Sequence, residues 1–179
     1  TEIVQSQASS KGIDLKVMAL ERKVHGDPLL LKQVLMNLTL NAIQYTKAGT
    51  VEIRFFEQAQ TLCFSVKDTG VGIPESEQAH IFKEFYRSDQ TRSEHEGLGL
   101  GLTIVARLCR LIGATVSLDS TPGQGSTFTV STPCSFISEG QKESNDRGPS
   151  GSALEQSQSI LFGKHIAVID DDENILNAY

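Results

Sequence analysis

One helix, carried between Asp27 and Gly49, has a single apolar stripe, and that one-sidedness limits what the chain can fold into. Asp27 followed by Pro28 supplies an N-cap and then a proline at the first helical position, where a missing N–H costs nothing. The segment is expected to run to about Thr46, with Gly49 closing it. Leu31, Val34, Leu35, Leu38, Ala42 and Tyr45 recur at helical spacing on one side. Such a stripe must be buried against a second layer. The neighbouring residues supply it. Residues 51–57 and 62–67 are strand-like runs joined by a short polar turn, and Ile13, Leu15, Val17 and Ala19 form an approximately alternating, half-buried strand.

Further along, residues 115–118 and 126–131 read as short strands flanking the turn Thr121-Pro-Gly-Gln-Gly125. A second helix is expected from about Gly99 to Leu111, with Leu102, Val105, Ala106 and Leu108 or Cys109 facing inward. Residues 74–85 are irregular to helical, and 87–96 are polar without a period. Helices interleaved among hairpin-paired strands predict an α+β fold: a two-layer α/β sandwich with the helices on one face of a mixed sheet.

Composition narrows the function classes. With 179 residues, 39% of them hydrophobic, the chain can fill one ordinary core. A net charge of −6 argues against a general nucleic-acid binder, which needs a basic face. No apolar run approaches the roughly 18 residues of a bilayer span, and no signal peptide opens the sequence. Thr1 in place of methionine points to a piece of a longer protein. Cys63, Cys109 and Cys134 are widely spaced without a CxxC pair, which predicts reduced thiols and a cytoplasmic setting. Residues 138–159 are rich in Ser, Gly, Gln and Glu, a linker composition expected to be mobile. Beyond it, His165-Ile-Ala-Val-Ile-Asp-Asp-Asp172 is an apolar strand ending on carboxylates. It is too short to have its own core, so residues 166–169 should fray or pair with a foreign sheet edge.

Three stretches have residues suited to chemistry. On the first helix Gln33, Asn37, Asn41 and Gln44 share one face. Amide oxygens are hard, neutral ligands that can hold Mg²⁺ beside phosphates, and an ordinary solvated face reads the same way. Asp68-Thr-Gly-Val-Gly-Ile-Pro74 leaves an apolar strand on a carboxylate and uses two glycines in five residues. A carboxylate there can accept from an exocyclic amine such as adenine's, with glycines allowing a flat ring to approach; a solvated Asx turn is the other reading. Gly97-Leu-Gly-Leu-Gly-Leu102 opens the second helix, where free N–H groups and a positive dipole end suit a phosphate. It is neither a Gly-x-x-x-x-Gly-Lys-Ser/Thr loop nor a dinucleotide fingerprint.

Taken in order, these stretches resemble the catalytic domain of sensor histidine kinases. Residues 33–46 are similar to the family's asparagine box, 68–72 to its first glycine box and 81–89 to its phenylalanine box. Residues 97–102 resemble its second glycine box, and 123–128 its closing glycine segment. The resemblance spans about residues 13–133. It implies the Bergerat ATP-binding fold, Mg-ATP as the bound nucleotide, and transfer of the γ-phosphoryl group to a histidine on a separate helical dimerisation domain. By position, Asn41 matches the Mg²⁺ ligand and Asn37 its polar partner one turn earlier. Asp68 matches the adenine-reading carboxylate, with Gly70, Gly72 and Ile73 beside the ring and Ser126 as a supporting hydroxyl. Tyr45 matches a residue near the nucleotide. Arg87 and Arg92 match lid positions able to reach the γ-phosphate. Gly97, Leu98, Gly99, Leu100, Gly101 and Leu102 match the phosphate-side run.

Residues 166–172 are similar to the first strand and acidic pocket of a response-regulator receiver, with Asp170 and Asp171 at its metal-binding acids. The implied division is 1–10 as the end of an upstream helical segment, 11–135 as the ATP-binding domain, 136–162 as linker and 163–179 as a truncated receiver start. The implied partners are the dimerisation domain of the same protein and a receiver or response regulator, with the fragment monomeric and its parent dimeric. The parent is either cytoplasmic throughout or anchored in the inner membrane. Two departures stand out. Gln44 replaces the family's usual lysine, and none of His25, His80, His95 and His165 lies in a phosphoacceptor motif. A degenerate partner-binding module and a gyrase-, mismatch-repair- or chaperone-type ATPase remain as alternatives. The latter would carry a glutamate where this chain has Asn37.

Overall fold

Asp27 caps the first long helix as its position predicts, its Oδ1 accepting from the N–H groups of Leu29 at 3.0 Å and Leu30 at 3.1 Å. The computed structural model describes residues 2–59, 61–86, 99–136 and 165–168. Over these, the elements are α1 (Glu2–Ser10), β1 (Ile13–Met18), β2 (Arg22–His25), α2 (Pro28–Tyr45), β3 (Gly49–Gln58), β4 (Thr61–Asp68), α3 (Glu75–Gln78), α4 (Gly101–Leu111), β5 (Thr115–Thr121), β6 (Gly125–Phe136) and β7 (His165–Val168). α2 stops one residue short of the expected Thr46, which is buried as the C-cap and donates from Oγ1 to the carbonyl of Ala42 at 2.7 Å.

The strands form one mixed sheet in the order β1-β3-β4-β6-β2-β7, with β5 also paired to β6. β1 runs parallel to β3, and the remaining pairs are antiparallel. The core lies between this sheet and the helices. Val34, Leu38 and Ile43 of α2 and Val105 and Cys109 of α4 pack with Val51, Phe64, Val66 and Val130 of the sheet. α1 adds Val4 and Ala8, one helical turn apart. This is the expected α+β sandwich.

Three local differences have physical causes. β1 lies at the sheet's edge, and Val17 at its far end, expected on the buried face, is half exposed. Four-residue β2 pairs with the tail of β6 and with β7, and among polar and basic neighbours it offers only Val24 as a buried apolar residue. α4 begins at Gly101, because Gly99 adopts φ 69°, a left-handed conformation that no helix continues through. β7 takes one of the two courses open to it, pairing with β2 from Arg22↔Val168 to His25↔His165. The linker at 138–159 lies outside the described residues.

The last turn of α2 has no basic residue of its own. Lys11, from the turn after α1, supplies one: its Nζ donates to the carbonyls of Ile43 and Gln44, both at 3.0 Å. An ammonium at a helix C-terminus is worth about 0.3–1 kcal/mol at low ionic strength. Lys11→Met is therefore expected to lower the thermal midpoint in low salt, with the difference narrowing as salt is added. Thermal denaturation at two ionic strengths checks it.

Candidate functional site

Strand alternation places a carboxylate where apolar side chains belong. Along β4, Leu62, Phe64 and Val66 face the helices, and the next residue in that period is Asp68. Asp68 is only 5% exposed. Its Oδ1 accepts from the N–H of Gly70 at 2.8 Å and from the N–H of Ser126 at 3.2 Å. The other oxygen, Oδ2, makes no hydrogen bond among the described residues. Burial pushes the carboxyl above the ordinary aspartate value, and the bonds from Gly70 and Ser126 pull it part of the way back.

That direction has a consequence for stability. A folded value raised above the 3.8 of a free aspartate contributes stability below 3.8, which is lost as pH rises through the folded value. At neutral pH the ionised Asp68 therefore destabilises the fold. Asp68→Asn keeps an oxygen for both backbone donors, so the variant is expected to melt higher than the natural chain at neutral pH. The gap should close at a pH below 3.8. Paired melting curves at the two pH values test the sign.

Asp68 opens onto a cleft between α2, α4 and the sheet, of about 730 Å³ counting the open space at its mouth. Asn41, Tyr45, Gly72, Ile73, Leu102 and Ser126 line it with Asp68. The segment from Ile81 to Tyr86 forms one wall. Phe82 meets Phe128 edge-on with centroids 6.4 Å apart, Thr103 donates from Oγ1 to the Phe82 carbonyl at 3.3 Å, and Arg107 pairs with Glu84.

Gly72 is also needed on backbone grounds. Its φ is 68°, and a Cβ there would stand 2.1 Å from the carbonyl oxygen of Thr121. Gly101 leaves a different gap. A Cβ on it would lie 3.1 Å from both amide heteroatoms of Asn41, so the missing side chain keeps space open beside that amide. Among the described residues no side chain caps the start of α4, so its first N–H groups are available to an anion next to this space.

The remaining matched residues are placed less directly. Asn37 does not line the cleft; its amide nitrogen donates to the Gln33 carbonyl one turn back at 2.8 Å. Gly70 adjoins the cleft through its bond to Asp68, Gly99 precedes α4 and Leu100 is its N-cap. Arg87, Arg92, Gly97, Leu98, His95, Asp170 and Asp171 lie outside the described residues. Sequence reasoning missed Ser120 and Gln78. The Ser120 hydroxyl accepts from Ile73 N–H at 2.8 Å, donates to the Gly125 carbonyl at 3.0 Å and sits 3.0 Å from Ser126 Oγ. The amide of Gln78 donates to the carbonyls of Ile73 at 3.0 Å and Ser120 at 3.1 Å. These bonds join residues up to 47 apart in sequence, and no local signal marks them.

Comparison with known proteins gives this geometry a context. The family described as "Histidine kinase-, DNA gyrase B-, and HSP90-like ATPase" matches residues 26–135. The chain is 46% identical over 109 residues to the circadian input-output histidine kinase CikA of Synechococcus elongatus, a match covering 60% of this chain and 14% of that protein. It is 34% identical to the autoinducer 2 sensor kinase/phosphatase LuxQ of Vibrio vulnificus, over 94% of this chain and 20% of that one. The chain thus spans a fifth or less of these curated relatives. Among solved structures, full-length ShkA in complex with AMPPNP superposes with a TM-score of 0.68 at 32% identity, covering 76% of this chain and 28% of that one. The nucleotide-free catalytic domain of the histidine kinase ThkA gives 0.61 at 26% identity, covering 73% and 86%.

Proposed function

Because the chain belongs to the histidine kinase-, DNA gyrase B- and HSP90-like ATPases, we propose that its cleft binds Mg-ATP and delivers the γ-phosphoryl group to a histidine on a separate helical dimerisation domain. The observation that carries this reading is Asp68, buried at a strand end with one oxygen anchored by two backbone N–H groups and the other left for a donor. Adenine offers its exocyclic amine there; guanine offers a carbonyl, which a carboxylate repels. At the phosphates, the uncapped N–H groups at the start of α4 bind oxygens, aided by the helix dipole.

Asn41's amide oxygen is a hard, neutral donor with open space beside it at Gly101, and it fits Mg²⁺. The ion, when bound, neutralises phosphate charge. Asn37, one turn earlier, carries no carboxylate, so the chain has no base there to activate water. A neutral imidazole needs none, since its free lone pair attacks directly, and the protein's contribution is positioning and charge stabilisation. Arg87 and Arg92 are assigned to the γ-phosphate from the lid on the family resemblance alone.

In this reading residues 11–135 are the catalytic domain, 136–162 the linker and 163–179 the start of a receiver. The last assignment rests on the resemblance of residues 166–172 to a receiver's first strand and acidic pocket. The partners are the histidine-bearing domain of the parent protein and a receiver or response regulator, in a dimeric parent acting at the cytoplasmic side. Among the described residues no helix is long and apolar enough to cross a membrane.

Calorimetric titration tests the binding step. One Mg-ATP should bind per chain, with GTP much weaker. Equal affinities for the two would contradict the role given to Asp68.

A further inference from the structure

Resting on the nucleotide-binding reading above, we propose that Glu77 is a second base-reading carboxylate, accepting a hydrogen bond from the adenine amine directly or through one trapped water. Glu77 lines the same cleft as Asp68. Its Oε2 is sealed from solvent and has no hydrogen-bond partner among the described residues. A buried carboxylate oxygen without a donor is costly, and native proteins keep few of them. A ligand that brings a donor removes that cost.

The surroundings of Glu77 fix which part of a nucleotide meets it. α3 is a single turn with no side-chain cap, and it is the next residue, Gln78, that ties it to the Ile73 and Ser120 carbonyls. Ser120 Oγ touches Ser126 Oγ, and the Ser126 N–H bonds Asp68. This run of contacts ties the turn that carries Glu77 to the Asp68 side of the cleft, whereas the start of α4 and Asn41 lie at the side assigned to the phosphates. Phosphates are repelled by two carboxylates and cannot lie beside them. The adenine amine carries two hydrogens; Oδ2 of Asp68 takes one and Glu77 the other. A guanine carbonyl at the same place would face both carboxylates, so Glu77 also adds to the preference for ATP.

The test is a set of affinities for the full chain and its Glu77→Ala, Glu77→Met and Glu77→Gln variants. The probes are ATP, purine riboside triphosphate (which lacks the amine), 2′-deoxy-ATP and 3′-deoxy-ATP. Glu77→Ala should weaken ATP about tenfold, the scale of one good hydrogen bond, and leave purine riboside triphosphate unchanged. Both deoxy analogues should lose the same factor as ATP. Glu77→Met, close in volume but without oxygen, should behave as alanine does and covers the case of an unstable alanine variant. Glu77→Gln keeps an acceptor and should restore most of the affinity. Equal loss for ATP and the amine-free analogue would overturn the proposal in favour of a packing role. So would no loss for ATP, or a loss that disappears with a deoxy analogue, which would assign Glu77 to the ribose. Asp68→Asn separates the two readings: a chain whose ATP binding depends on Asp68 but not on Glu77 refutes this inference alone. A chain that binds no ATP refutes both.

Discussion

Replacing Asp68 with asparagine should cut Mg-ATP affinity by about 100-fold or more while the chain stays folded. The hydrogen bond lost is charge-assisted, worth about 1.5–3 kcal/mol, or roughly 10- to 100-fold. A further penalty follows if the new amide turns its NH₂ toward the adenine amine. The fold is spared because Oδ1, which accepts from Gly70 and Ser126, has an oxygen counterpart in asparagine. Relief of the buried charge even favours the folded state at neutral pH. The substitution therefore separates binding from stability in opposite directions, a pattern that general damage to the fold does not produce. Calorimetry and melting curves on one preparation measure both. A variant that binds ATP as the natural chain does would remove Asp68 from the base site.

The second large effect is expected at Asn41. Asn41→Ala removes the hard oxygen beside Gly101, and phosphotransfer to a histidine supplied on a separate domain should fall by about 100-fold or more, on the scale of losing an electrostatic stabiliser of the transition state. Asn41 is partly exposed on the cleft side of α2 and fills no core position, so the melting temperature should change little. Asn41→Asp, which adds a negative charge beside the phosphates, should not restore the transfer. Initial rates of labelling at saturating nucleotide distinguish a lost transfer step from weakened binding.

Much of this arrangement was legible in the sequence because the decisive signals are periodic or local. The apolar stripe of α2 and the cap at Asp27 depend on residues within a few positions of one another, and so does the hairpin that ends on Asp68. The strand reading of 62–67 stops one residue short of Asp68, which the period of β4 carries to the helix-facing side. What stayed hidden depends on distant pairings. β2 exists because the tail of β6 and β7 pair with it, and its own four residues give no strand period. Gln78 and Ser120 were invisible as site residues, since their importance comes from bonds across the fold. Residue 72 has a second requirement for glycine that no local signal shows, since the Thr121 carbonyl occupies the place where a side chain would go. Glu77 lies in the stretch expected to be irregular to helical, and only burial singles out its oxygen.

The most direct test of the central claim is incubation of the chain with γ-labelled ATP, with and without the parent's histidine-bearing helical domain. The chain alone should hydrolyse ATP very slowly and acquire no acid-labile label on His25, His80, His95 or His165. Adding the helical domain should produce acid-labile label on that domain, dependent on Asn41. Brisk hydrolysis by the chain alone, or stable label on one of its own histidines, would contradict the proposed transfer.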